Sequence, residues 1–143
     1  MGGNRTDHWD TVYRTKGATD VSWFQGDPLV SMRLIAEATP APQSVLDVGA
    51  GASVLVDSLL GTGVEDVTIL DVSDTALAAV RRRLGSRASV VSFVVTDVTS
   101  WTPHRQWDAW HDRAVFHFLT NEDDRAAYVA AAGEAVCPGG IVV

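Results

Sequence analysis

Four carboxylates, Asp47, Asp71, Asp97 and Asp112, stand at or just past successive apolar runs of this chain. An ionised carboxylate only accepts hydrogen bonds, so each marks a place for donors or cations. Asp47 lies two residues before Gly49-Ala50-Gly51. Glycines there let the backbone turn tightly and approach a bound molecule closely. An acid at that position repels phosphate and suits a ligand that brings an ammonium group. Asp71 follows Gly49 by 22 residues, the spacing at which an acid accepts from ribose hydroxyls. Asp97 can accept from an exocyclic amine while the N–H of Val98 donates to a ring nitrogen. Together these groups describe a nucleoside with a cationic amino-acid tail and no phosphates. A dinucleotide fingerprint would place a third Gly or Ala at position 54, where Val54 stands. With Asp47, that departure speaks against the alternative of a NAD-type oxidoreductase.

Those acids need strands to carry them. Ser44 to Val48 is a short apolar run stopped by the glycine turn, and reads as a buried strand. Val67–Val72 and the valine-rich Val90–Val98 read as two more strands, and Trp107–His111 as a fourth. Helical spacing fills the gaps. Asp27-Pro28 opens a helix by capping, with Pro in the first turn, and Pro40 and Pro42 end it. Residues 53–60 suit a second helix. Ser73 caps another that carries Leu77, Val80 and Leu84 on one face and ends at Gly85. Thr120 can cap a last one, whose first turn holds Glu122, Asp123 and Asp124, as a helix dipole favours. Pro138-Gly139-Gly140 reads as a turn before a strand begun at Ile141. Alternating strands and helices predict an α/β fold: a Rossmann-like, doubly wound, mostly parallel sheet with helices on both faces. Ligands in such sheets sit at the carboxyl ends of the strands.

Other reactive residues read as structural. His111 and His117 flank Asp112, but no metal-ligand spacing surrounds them, and no metal is expected. His117 beside Phe116 and Phe118 reads as packing, with proton acceptance as the alternative. Arg81-Arg82-Arg83 reads as the solvated side of a helix. The single cysteine, Cys137, excludes an internal disulfide and reads as a buried helix-end residue. No serine sits in a nucleophile-elbow context. Trp9 and Tyr13, four apart, share a helical face and suit either a core staple or a cover over a ligand. Residues 1–10 otherwise read as an unstructured N-terminus without an apolar signal core, so the expected location is cytoplasmic.

As a set, VLDVGAG, ILDVS, TDV, WHDRAVFHFLT and PGG resemble the successive motifs of class I methyltransferases that use S-adenosylmethionine (SAM). The N-terminal Trp9-Asp10-x-x-Tyr13 and Trp23-Phe24 resemble small members of that superfamily. Thiopurine-methyltransferase-like enzymes and lysine methyltransferases of the elongation-factor type share parts of this layout. The resemblance implies two parts: residues 1–43 as a covering segment with a first helix, and 44–143 as the SAM-binding domain. It implies that Gly49 and Gly51 pass under the methionine part of SAM, with Asp47 on its amine. Asp71 would bind the ribose hydroxyls, Val72 would pack on adenine, and Asp97 and Val98 would read its edge. Trp9 and Tyr13 would cover the cofactor, and Asp112-Arg113 would lie near the sulfonium and the substrate mouth.

The expected activity is methyl transfer from SAM to an acceptor, a small molecule first and a protein lysine second. A non-catalytic SAM-binding module is a further alternative. Methyl transfer from a sulfonium needs mainly alignment and exclusion of water. No catalytic residue is assigned; Asp112 and His117 are the candidates should a base be required. A net charge of −7 and a pI near 4.8 argue against nucleic-acid partners, and no apolar run is long enough to span a bilayer. The usual seven-stranded sheet of this superfamily continues past Pro-Gly-Gly. The chain is therefore expected to lack the last strands and to self-associate through an unpaired sheet edge.

Overall fold

The strand β1 (Ser44–Val48) is buried along its whole length and lies at the centre of a parallel sheet in the order β3-β2-β1-β4-β5. Its neighbours are β2 (Asp66–Asp71) and β4 (Trp107–Asp112), with β3 (Val91–Val95) and β5 (Val136–Val142) outside them. The structure, a computed structural model, describes residues 2–16 and 28–143. Parallel strands covered on both sides bury both faces, which explains why Val45, Leu46 and Val48 are all apolar and why even Ser44 and Asp47 are buried. Period-two alternation then sorts its side chains: Val45 belongs to one core cluster, Leu46 and Val48 to the other.

The helices α2 (Leu29–Ala38), α3 (Leu55–Gly61) and α4 (Asp74–Leu84) cover the Val45 face through Ile35, Leu59 and Leu77. α5 (Glu122–Ala135) covers the other face through Tyr128, Ala131 and Ala135. The α/β, doubly wound arrangement predicted from the alternation of elements is therefore the one observed, and all four strand pairings are parallel. Ser73 caps α4 by accepting from the Ala76 N–H, and Gly85 stands just past its end.

Several local expectations shift. The N-terminus is helical, α1 (Gly2–Lys16), where the sequence read as unstructured. Pro28 sits at the N-cap position of α2 rather than in its first turn; Asp27 lies outside the described residues. Asn121, not Thr120, caps α5: its side chain accepts from the Asp124 N–H, and its amide donates to the Asp124 carboxylate. β3 is shorter than Val90–Val98, because a 3-10 turn over Val98–Ser100 takes its end. β5 begins at Val136, so Cys137 belongs to a strand and not a helix end. Pro-Gly-Gly is a bulge inside that strand, where the register against β4 slips between Trp107 and Ala109. Proline has no N–H for the ladder, so a bulge is where a strand tolerates it. Arg83 is not merely solvated. It pairs with Asp57 at 2.6 Å and donates to the carbonyls of Ala52 and Ser53, just past the glycine turn.

Two indoles fill the core under α5, and both find acceptors, as buried Trp requires. Trp107 Nε1 donates to Thr68 at 3.1 Å, and Trp110 Nε1 donates to the Tyr128 hydroxyl at 2.9 Å. That hydroxyl in turn donates to Asp112. Burial and the Asp112 carboxylate push the phenol well above its ordinary range, so it stays a donor. Replacing Tyr128 with Phe strands the indole N–H in the core. Urea denaturation should show a loss of about 1–3 kcal/mol, with β-sheet content unchanged.

Candidate functional site

Parallel strands in register bring their carboxyl ends to one edge of the sheet, and the chain turns sharply there. Gly49 and Ala50 donate their N–H groups to Leu70 O at 2.8 and 3.1 Å, stitching the turn after β1 to the end of β2. The Asp71 carboxylate completes the stitch. One oxygen accepts from Gly51 N and the other from Ser73 N, each at 2.8 Å. Gly49 and Gly51 hold φ of +66° and +52°, a region costly for residues with a Cβ. Space is short as well: a Cβ would lie 1.9 Å from Val115 Cγ2 at position 49 and 2.1 Å from the Tyr13 hydroxyl at 51, so a neighbour would have to move. Burial pushes the Asp71 carboxyl up to about 6, with the charges of Asp47 and Asp10 adding to it; the two backbone N–H groups restrain the rise.

Asp97 follows β3 and caps the 3-10 turn by accepting from Thr99 N at 2.9 Å. It also meets α1. One arm of the Arg5 guanidinium lies 2.9 Å from Asp97, and the other lies 2.6 Å from Asp124 in the first turn of α5. These two acids keep the guanidinium above its ordinary value against the pull of burial. α1 is fastened at two further points. The Ser73 hydroxyl donates to Asp10, and the Trp9 ring meets Phe118 edge-on at 5.5 Å. Beneath this helix lies a cavity of about 290 Å³.

The structure brings seven of the predicted residues to that cavity: Trp9, Tyr13, Gly49, Asp71, Val72, Asp97 and Val98. Gly51 is buried beside them under Tyr13. Asp47 is buried just behind the lining. Its Oδ1 lies 2.8 Å from His111 Nδ1, and its buried Oδ2 meets no partner. Asp112 is spent on structure, accepting from the N–H groups of Val115 and Phe116 and from Tyr128, so it is not a free base. Arg113 is exposed and outside the lining. His117 is likewise exposed and outside it, tilted against Phe118 at 4.2 Å. Trp23-Phe24 falls outside the described residues.

Sequence reasoning missed Arg5 and His8, which also line the cavity. The signal was present: Arg5, Trp9 and Tyr13 recur every four residues, one face of a helix. The lining has one cation, Arg5, and two acids already hold it. Acceptors on two strand ends, valines between them and an aromatic cover suit a neutral or cationic ligand with hydroxyl and amine donors. Among the described residues no group of His, Cys, Asp and Glu could hold a metal ion, and no helix is long and apolar enough to cross a membrane.

Residues 45–140 match a family model described as a methyltransferase domain. Among curated proteins, the chain is 28% identical over 93 residues to the eEF1A lysine and N-terminal methyltransferase of Mus musculus, covering 65% of this chain and 13% of that one. It is 25% identical over 138 residues to the Danio rerio protein of the same name, 94% of this chain and 20% of that one. Among solved structures, the DhpI-SAM-HEP complex superposes with a TM-score of 0.70 at 26% identity, over 98% of this chain and 63% of that chain. The glycopeptide N-methyltransferase MtfA complexed with SAM gives 0.68 at 25% identity, over 79% and 51%. The chain thus spans at most a fifth of these two curated relatives and less than two thirds of these two structures.

Two outcomes follow from the turn. Gly51→Ala should lose about 1–3 kcal/mol in denaturant unfolding, through the positive φ and displacement of Tyr13. Asp71 has a raised value in the folded state, so its contribution to stability is fully present below about pH 4 and is lost as pH climbs through about 6. That loss is worth about 3 kcal/mol. Stability curves of wild type and Asp71→Asn should therefore differ in slope between about pH 4 and about pH 6, and nowhere above.

Proposed function

The chain belongs to the methyltransferase-domain family, and we propose that it binds SAM in the cavity under α1 and transfers its methyl group to a small-molecule acceptor. The observation that carries this reading is the meeting of Gly49, Asp71, Val72, Asp97 and Val98 around one cavity at the ends of β1, β2 and β3. Two further features fit the cofactor. The glycine turn is a cradle any Cβ would fill, and Asp47 Oδ2 is a buried acceptor without a donor.

When bound, SAM supplies a methyl group on a sulfonium, which needs no further activation. The protein's part is to bind, orient and exclude water. Asp71 accepts from the ribose hydroxyls through the lone pairs its backbone partners leave, and Val72 packs on adenine. Asp97 accepts the adenine amine alongside Arg5, and Val98 meets the ring edge. Gly49 and Gly51 make room for the methionine part. Trp9 and Tyr13 close the cavity from above. In this division residues 44–143 would form the cofactor-binding domain and residues 1–43 an N-terminal segment whose helix α1 lies over the cavity. No base is assigned, because Asp112 is occupied and His117 lies outside the cavity lining.

The small-molecule reading is supported by the likeness to a glycopeptide N-methyltransferase. A protein lysine is the second reading, favoured by the eEF1A lysine methyltransferases among the relatives. Calorimetry with S-adenosylhomocysteine, the demethylated product, tests the core of the proposal. One site should bind it and none should bind NAD. Asp97→Asn keeps a capping side chain but loses an acceptor, and should weaken binding about tenfold or more. Binding of NAD in place of the homocysteine compound would refute the reading.

A further inference from the structure

Behind the glycine turn, three buried polar residues from three elements form a line. Ser31 of α2 lies with Oγ 2.9 Å from His111 Nε2, and His111 Nδ1 lies 2.8 Å from Asp47 Oδ1. All three are buried, with exposures of 7% for Ser31, 5% for His111 and 3% for Asp47. The register of β1 against β4 makes Asp47 and His111 direct neighbours. The other carboxylate oxygen, Oδ2, is buried with no partner. Burying an ionised carboxylate with one oxygen unanswered is costly. Asp47 immediately precedes Val48 and Gly49, which line the cavity, and its charge bears on Asp71 there.

Ser31 has a particular chemistry in this line. A neutral imidazole with its proton on Nδ1 needs a donor at Nε2, whereas an imidazolium needs an acceptor there. A hydroxyl rotates to be either. His111 can thus change its charge inside the core without stranding a polar atom. The groups that face it are Asp47 from β1, Ser31 from α2, and Asp112 and Arg113 at the end of β4 and just beyond it. Burial alone would pull the imidazole down. The charge of Asp47 and the hydrogen bond to it, with Asp112 behind, outweigh both burial and Arg113, and His111 holds its proton above the ordinary histidine range.

We propose that Ser31 and His111 are positioning residues for the cofactor's ammonium group: they anchor Asp47 by Oδ1, keep Oδ2 as its acceptor directly or through a water, and give up the His111 proton when that cation arrives. This rests on the reading of the cavity as a SAM site. The arriving ammonium takes over the neutralisation of Asp47 that the imidazolium provides. Two cations then share one carboxylate, and the imidazolium loses its proton to solvent. By linkage, deprotonating His111 favours the cofactor equally.

The test is an NMR titration of the full chain carrying ¹⁵N-labelled histidine, from about pH 5.5 to about pH 9, with and without saturating S-adenosylhomocysteine. The His111 midpoint should fall by about one pH unit on binding, and calorimetry should show about tenfold tighter binding above the midpoints than below. His111→Gln should lose that pH step. The ligand's own ammonium titrates equally in both proteins and cancels in the comparison. Ser31→Ala removes the acceptor the imidazolium needs and should lower the midpoint of the free protein, a readout that requires no ligand. Binding with an unmoved His111 midpoint overturns this proposal and leaves the SAM reading standing. Absence of binding at every pH overturns the SAM reading, and this proposal with it.

Discussion

The structure depends on one carboxylate taken out of water. Asp71 ends the strand next to the centre of the sheet, and its two oxygens are answered by backbone N–H groups from different turns, Gly51 and Ser73. Through Gly51 it fixes the loop after β1. Through Ser73 it fixes the start of α4, whose cap in turn reaches Asp10 of the N-terminal helix. The cost of burial is visible in the raised carboxyl value. A buried acid held this way does not relax, so the groups around it keep one geometry.

That rigidity separates two uses of the strand-end acids, which are chemically alike. Asp71 and Asp97 line the cavity, whereas Asp47 and Asp112 lie outside the lining and hold internal partners. The difference comes from the sheet. Alternation along β1 sends Asp47 to the side where β4 offers His111. Asp112 lies where the chain must turn after β4, and two N–H groups of that turn and a tyrosine from α5 claim it. A protein with a net charge of −7 can place acids around a ligand site only by giving most of them internal partners. Here Arg5, His111 and backbone N–H groups serve that purpose.

Much of this was legible in the sequence because it is local. The strand runs, the glycine turn, the Ser73 cap and the spacing from Gly49 to Asp71 all follow from residues close together in the chain. What was not legible depends on which elements become neighbours. Nothing near Asp47 announces that β4 will lie beside β1 and bring in a histidine 64 positions away. Tyr128 claims Asp112 from 16 residues downstream. α1 escaped notice because its sequence is polar and its anchors are distant: Arg5 to Asp97 and Asp124, Asp10 to Ser73. The Pro-Gly-Gly bulge reads locally as a turn, and only the pairing with β4 makes it part of a strand.

The contact between Tyr13 and Gly51 has a consequence for how such a chain can diverge. A smaller residue 13 leaves the turn unstrained while residue 51 stays glycine. Residue 51 can grow only by pushing the Tyr13 hydroxyl aside, because the hydroxyl fills the space a Cβ would need. Shrinking residue 13 first opens the space, but the positive φ of position 51 remains. Drift at this pair therefore runs in one direction, and the helix bears the change while the turn does not. Position 49 and Val115 repeat the arrangement. The glycine turn after β1 thus resists substitution at both positions, and variation among descendants of this sequence will collect in the residues laid over it.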